Sequence, residues 1–134
     1  MDSKVQKIIT DLSLKPHIEG GYFNETDKST IELDMQGKNR AIYSNILFLL
    51  TQDNPSNFHR LSADKVWYFH QGEALTIHMI TKEGNYEQVE LSEANPQYCV
   101  TAGTIFGSCV DKVGLDLYFQ QRLKVLSIKD YLKC

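Results

Sequence analysis

The sequence lacks the marks of several protein classes. No cluster of basic residues occurs, and 14 lysines and arginines against 17 acids leave a net charge of −3. Nucleic acid is therefore not an expected partner. No run of 18 apolar residues occurs, and the richest stretch, "AIYSNILFLL" (41–50), is interrupted by Ser44 and Asn45. That is too short to cross a bilayer, so no membrane partner is expected. No charged-then-apolar leader opens the chain. Cysteine is scarce: Cys99, Cys109 and Cys134 are odd in number, widely spaced and without a C-x-x-C pair. Reduced thiols in a cytoplasmic protein are the expectation. Internal repeats, low-complexity tracts and linkers are also missing. The 134 residues (1–134) read as one domain, able to bury its core without a metal or disulfide.

What is present is one helix and many short strands. Val5, Ile8, Ile9 and Leu12 form a single apolar stripe at helical spacing. Ser3 and Gln6 fit a capping box, and Lys15-Pro16 predicts the end of a helix over about 3–14. Beyond Pro16, alternating segments are separated by "QGKN", "QDNPSN", "SAD", "KEGN" and "SEANP". Arg40 to Thr51 is apolar on both parities, which predicts a strand covered on both faces. Further strands are expected over 58–61, 65–70, 75–80, 86–91, 97–100, 105–110, 115–119 and 123–126, then a helical turn capped by Ser127. Strands at this spacing indicate a β-sandwich or barrel, here over about 20–127.

The stretch "FHRLSADKVWYFHQG" (58–72) concentrates polar and aromatic residues. Its spacing resembles the first motif of the cupins, whose jelly-roll barrel, a double-stranded β-helix, binds a metal through three histidines and a glutamate. His59 takes the first histidine position, Leu61 the second, Lys65 the glutamate position and Gly72 the closing glycine, while Asp53 replaces the leading glycine. For the second motif, "TAG" (101–103) takes the Pro-x-Gly place, Phe106 the histidine position and Val110 the asparagine position, with Asn95 for the leading glycine. Over about residues 12–119 the chain is more similar to a small single-domain family, the fifth of the catalogued cupin families, long described only as of unknown function. "HIEGGYFNET" (17–26), "IYSNILFLL" (42–50), the central stretch and "TAGTIFG" (101–107) follow its four ordered segments. Asn24, Lys65, Tyr68, Thr101 and Ile105 depart from the family's usual arginine, glutamate, histidine, proline and tryptophan.

The resemblance implies an all-β cupin barrel with one N-terminal α-helix, and a homodimer that covers exposed sheet edges. A metal is not expected, because His59 alone among the four ligand positions can donate to one. His70 and His78 are the further candidates, but His70 lies on the opposite strand parity from Lys65 and Trp67 and is a poor substitute. No other cofactor is expected. Three functions follow. One is binding of a small polar, anionic or sugar-like molecule in the barrel, by Lys65, Trp67, Glu25 and Tyr43. The second is a metal-independent sugar epimerase, as some cupins are, with His59 as base and Tyr68 or Tyr43 as acid. The third is a degenerate cupin serving as a structural or protein-interaction module. Each residue also has a plainer expectation: His59 hydrogen-bonded in the core, Lys65 reaching solvent at the barrel mouth, and Glu25 in a structural salt bridge with Arg60 or Lys65.

Overall fold

The computed structural model describes residues 3–35, 37–110, 118–125 and 131–132. Helix α1 spans Ser3–Asp11. It ends before Lys15-Pro16, because Ser13 takes a left-handed backbone at φ 55°. Ser13 N–H then donates to the Thr10 carbonyl at 3.2 Å and Leu14 N–H to the Ile9 carbonyl at 2.9 Å. This bond pair is a Schellman cap, in which the turned-back chain satisfies the last carbonyls. Its usual apolar contact is present, since Leu14, Ile8 and Ile9 pack in one cluster.

The strands are β1 (Lys15–Pro16), β2 (Tyr22–Lys28), β3 (Glu32–Met35), β4 (Lys38–Ala41), β5 (Tyr43–Leu50), β6 (Ser56–Leu61), β7 (Lys65–Gly72), β8 (Leu75–Ile80), β9 (Tyr86–Leu91), β10 (Gln97–Val100), β11 (Ile105–Cys109), β12 (Tyr118–Val125) and β13 (Tyr131–Leu132). They form a six-stranded sheet, ordered β1-β2-β5-β12-β7-β10, and a five-stranded sheet, ordered β13-β6-β11-β8-β9; β3 and β4 form a separate hairpin. All pairings among the described residues are antiparallel. The expected all-β jelly roll with one helix is observed.

Some boundaries differ from expectation. The segment from Arg40 to Thr51 is two strands, β4 and β5, parted at Ile42. The strands expected over 115–119 and 123–126 are one strand, β12, in the part described; residues 115–117, Leu126, Ser127 and Cys134 lie outside the described residues. Residues 131–132 pair with β6 as a strand rather than coiling into a helical turn.

The two sheets face each other across one core. Ile46, Phe48, Leu50, Trp67 and Val100 come from the six-stranded sheet, and Leu61, Leu75, Ile77, Met79, Leu91 and Phe106 from the five-stranded one. On the other face of β5, Leu49 packs with Val5 and Leu14 beneath the helix. This explains the unbroken apolar character of β5: its odd and even residues serve two different cores. Each fully buried side chain of this kind contributes about 1.5–3 kcal/mol.

Candidate functional site

Three turns bring the chemistry-bearing segments together. In "HIEGG", Gly20 and Gly21 have φ of 107° and 75°. A Cβ on Gly20 would sit 2.0 Å from the Pro55 carbonyl oxygen, so glycine is required there both for its backbone and for its size. The turn is tied to the start of β6 by Asn57 N–H donating to the Glu19 carbonyl at 2.6 Å. At the opposite end of β6, the "SAD" turn meets the "TAG" turn. Asp64 accepts from the Ala102 N–H at 2.8 Å, and the Leu61 carbonyl from the Gly103 N–H at 2.9 Å.

Between these turns, Phe106 is the hub of a buried cluster. The His59 ring lies 4.5 Å from the Phe106 ring, and the Lys65 amine lies 4.6 Å from it. Trp67 meets Phe106 edge-on at 6.3 Å and Phe48 edge-on at 6.2 Å. His17 also meets Phe48 edge-on at 5.6 Å. His59, Lys65 and Trp67 are each 0% exposed. His59 Nδ1 lies 2.7 Å from the Asn57 carbonyl oxygen, a contact that only a ring N–H can make by donating. A strand irregularity allows this arrangement: Phe106 pairs with His59 and Ser108 with Ser56, so Asn57 and Phe58 together face Gly107.

The expected site residues separate into two groups. His59, Lys65 and Trp67 come together inside the barrel. The solvent-reaching lysine is not found, because the Lys65 amine lies over the Phe106 and Trp67 rings instead. Aromatic faces offset part of the cost of burying a cation. Tyr68, Tyr43 and Glu25 do not join this cluster. Tyr68 is half-buried between the inward Trp67 and the exposed His70, on the opposite parity from Lys65 and Trp67. The Tyr43 hydroxyl donates to the Asp27 carboxylate at 3.2 Å near the surface, and that bond, with the charge of Asp27, raises its pKa above the ordinary value. Glu25 is exposed on β2. The acid that "HIEGGYFNET" sends inward is Glu19, 5% exposed, because the double-glycine turn folds it against β6. Both tyrosines offered as acids for His59 thus lie away from it, on outward positions.

A metal does not fit the cupin ligand positions. His59 is there, but Leu61 and Phe106 are core side chains and Lys65 presents an amine. Among the described residues no three His, Cys, Asp or Glu side chains come together in a metal-binding group.

Open space lies at the end of the barrel. A cleft of about 340 Å³ is lined by Met79, Lys82, Tyr98, Val100, Thr101 and Thr104, with Thr81, Glu83, Glu87 and Cys99 beside them. Its floor is built on the buried cluster by strand pairing. Tyr98 pairs with Trp67 and Val100 with Lys65 across β10–β7, and Met79 pairs with Phe106 across β8–β11. Thr101 and Thr104 hydroxyls bond each other at 3.2 Å across the "TAG" turn. The Lys82 side chain crosses Gly103, where a Cβ would come 2.5 Å from its Cε. Apart from Thr101, noted as a departure from proline, no lining residue was expected from the sequence. Tyr98 and Val100 share strand parity, and that was the signal available.

A family model described as "Cupin superfamily (DUF985)" matches residues 6–118. The chain belongs to this family. It is similar to a solved hypothetical protein from Leishmania major, with 30% identity, a TM-score of 0.87, and coverage of 94% of this chain and 84% of that one. It is similar also to protein SO0799 from Shewanella oneidensis, with 33% identity, a TM-score of 0.84, and coverage of 96% and 83%. The uncharacterized protein YML079W of Saccharomyces cerevisiae is 36% identical over 43% of this chain, and the match spans only 35% of that protein's length. Vicilin from Corylus avellana, at 11% identity and a TM-score of 0.66 over 90% of this chain and 34% of its own, shares the fold alone.

Proposed function

We propose that this cupin binds a small polar or anionic molecule, without a metal, in the cleft at the end of its barrel. The observation that carries this reading is the floor of the cleft: Tyr98, Val100 and Met79 are the strand partners of Trp67, Lys65 and Phe106. Lys65 acts through its charge rather than by contact, since it is fully buried. In a weakly polar interior such a charge is felt further than in water. Lys82 and the hydroxyls of Thr101 and Thr104 supply direct hydrogen bonds. The reading is tested by thermal shift with gluconate, inorganic phosphate and glucose. Gluconate is expected to raise the melting temperature of the wild type, and Lys82→Ala with Thr104→Val to remove that rise. A wild type that responds to none of the three sinks the reading.

The second reading, a structural or protein-interaction module, is favoured by the zero exposure of His59, Lys65 and Trp67. It predicts no response to any small molecule. The proposed assembly is a homodimer, in which a second chain covers the outer strands β9 and β10; a monomer mass in sedimentation overturns it. A cytoplasmic setting is part of the same proposal. No helix among the described residues is long and apolar enough to cross a membrane.

A further inference from the structure

The outer face of the five-stranded sheet carries a chain of side chains unrelated to the cleft. Cys109 Sγ, at the end of β11, lies 3.4 Å from His78 Nε2 on β8. His78 Nδ1 lies 2.6 Å from the Tyr86 hydroxyl on β9, and that hydroxyl donates to Gln88 Oε1 at 3.1 Å. The imidazole and phenol rings are stacked, 24° from parallel. Gln88 is also the strand partner of His78. Three neighbouring strands therefore converge on one imidazole.

The order of donors favours one tautomer of that imidazole. An amide oxygen can only accept, so the Tyr86 O–H points at Gln88. The Tyr86 oxygen is then left to accept from Nδ1–H. The remaining nitrogen, Nε2, presents its lone pair to the Cys109 thiol. A thiol beside a base that is itself oriented by a third group is the arrangement of an activated nucleophile. On the side of β11, Gly107 is the strand partner of His78 and adds no side chain there. Cys109 and His78 are half-buried, which admits small reagents. Cys109 forms no disulfide among the described residues.

We propose that Cys109, His78, Tyr86 and Gln88 form a nucleophilic thiol site whose electrophile is a small hydroperoxide. His78 Nε2 takes the thiol proton. The thiolate attacks one peroxide oxygen, the S–O bond forms and the O–O bond breaks. The leaving oxygen takes the proton back from His78 and departs as water or an alcohol. Sulfur is oxidised by two electrons to a sulfenic acid, and the peroxide is reduced by two. Cys109 is the nucleophile; Tyr86 and Gln88 are positioning residues that act through His78.

Cys99 supplies an internal reference. It is exposed, in the cleft, and burial of part of its surface followed by the charge of Asp64 raises its thiol above the ordinary 9.0. Exposure alone would make Cys99 the faster thiol. The test treats the reduced, full-length protein with limiting iodoacetamide at neutral pH, and separately with hydrogen peroxide plus dimedone, and reads each cysteine by peptide mass spectrometry. Cys109 is expected to react about tenfold faster than Cys99 or more. Tyr86→Phe should cut that ratio several-fold, and His78→Gln should bring Cys109 down to the rate of Cys99. Circular dichroism of both variants checks that the sheet is intact. Tyr86 is 60% exposed, so Tyr86→Phe keeps the test valid even if the change at His78 disturbs folding. A Cys99 rate equal to or above that of Cys109 overturns the proposal. So does a ratio that neither variant changes.

Discussion

Two lysines at one end of the barrel have opposite surroundings. Lys65 is 0% exposed, its amine held over two aromatic rings. Lys82 is exposed at the rim of the cleft, its stem lying across Gly103. They flank the same floor, since Val100 lines the cleft and pairs with Lys65. A cation in water costs little and contributes little to stability. A cation inside a protein is costly unless its surroundings compensate it. The interior is therefore where substitutions should change folding, and the rim is where they should change binding.

Phe106→Ala is expected to have the largest effect, because His59, Lys65 and Trp67 all pack on that ring. A loss of about 3–5 kcal/mol in urea unfolding is expected. A loss below about 1 kcal/mol would mean that the cluster is not a stability centre, and would erase the contrast with the rim. Lys65→Met keeps the volume and removes the charge. The response to gluconate should weaken. Lys82→Ala should change stability by less than about 0.5 kcal/mol and remove most of the gluconate response. If Lys65→Met leaves that response intact and Lys82→Ala abolishes it, the rim alone recognises the ligand and the buried charge is structural.

Much of the fold was legible in the residues. The apolar stripe of Val5, Ile8, Ile9 and Leu12 marked the helix, and the double-sided apolar character of β5 marked a strand shared by two cores. The end of the helix was misplaced because the stop is a left-handed Ser13, a conformation that serine adopts only when the following chain supports it. The candidate site was only partly legible. Alternation along β7 placed Lys65 and Trp67 on one face, but Tyr68, offered as an acid for His59, lies on the opposite parity and was misassigned. Alternation does not reveal which of two acids in "HIEGGYFNET" turns inward. That depended on the contact of Gly20 with Pro55, a residue 35 positions away. The cleft was missed because its lining comes from β8, β9, β10 and the turns beside them, and no local pattern joins these segments.

By itself the sequence determined the strand-and-turn rhythm, the cupin pattern and the shortage of metal-donating side chains at the cupin ligand positions, since these depend on residue type and spacing along one segment. Tertiary structure decided that Lys65 is buried rather than solvated, that His59 packs on Phe106, that a cleft opens above them and that Cys109 meets His78. Each of these depends on the pairing register of strands far apart in the chain, and the irregularity opposite Gly107 sets that register for β6 and β11.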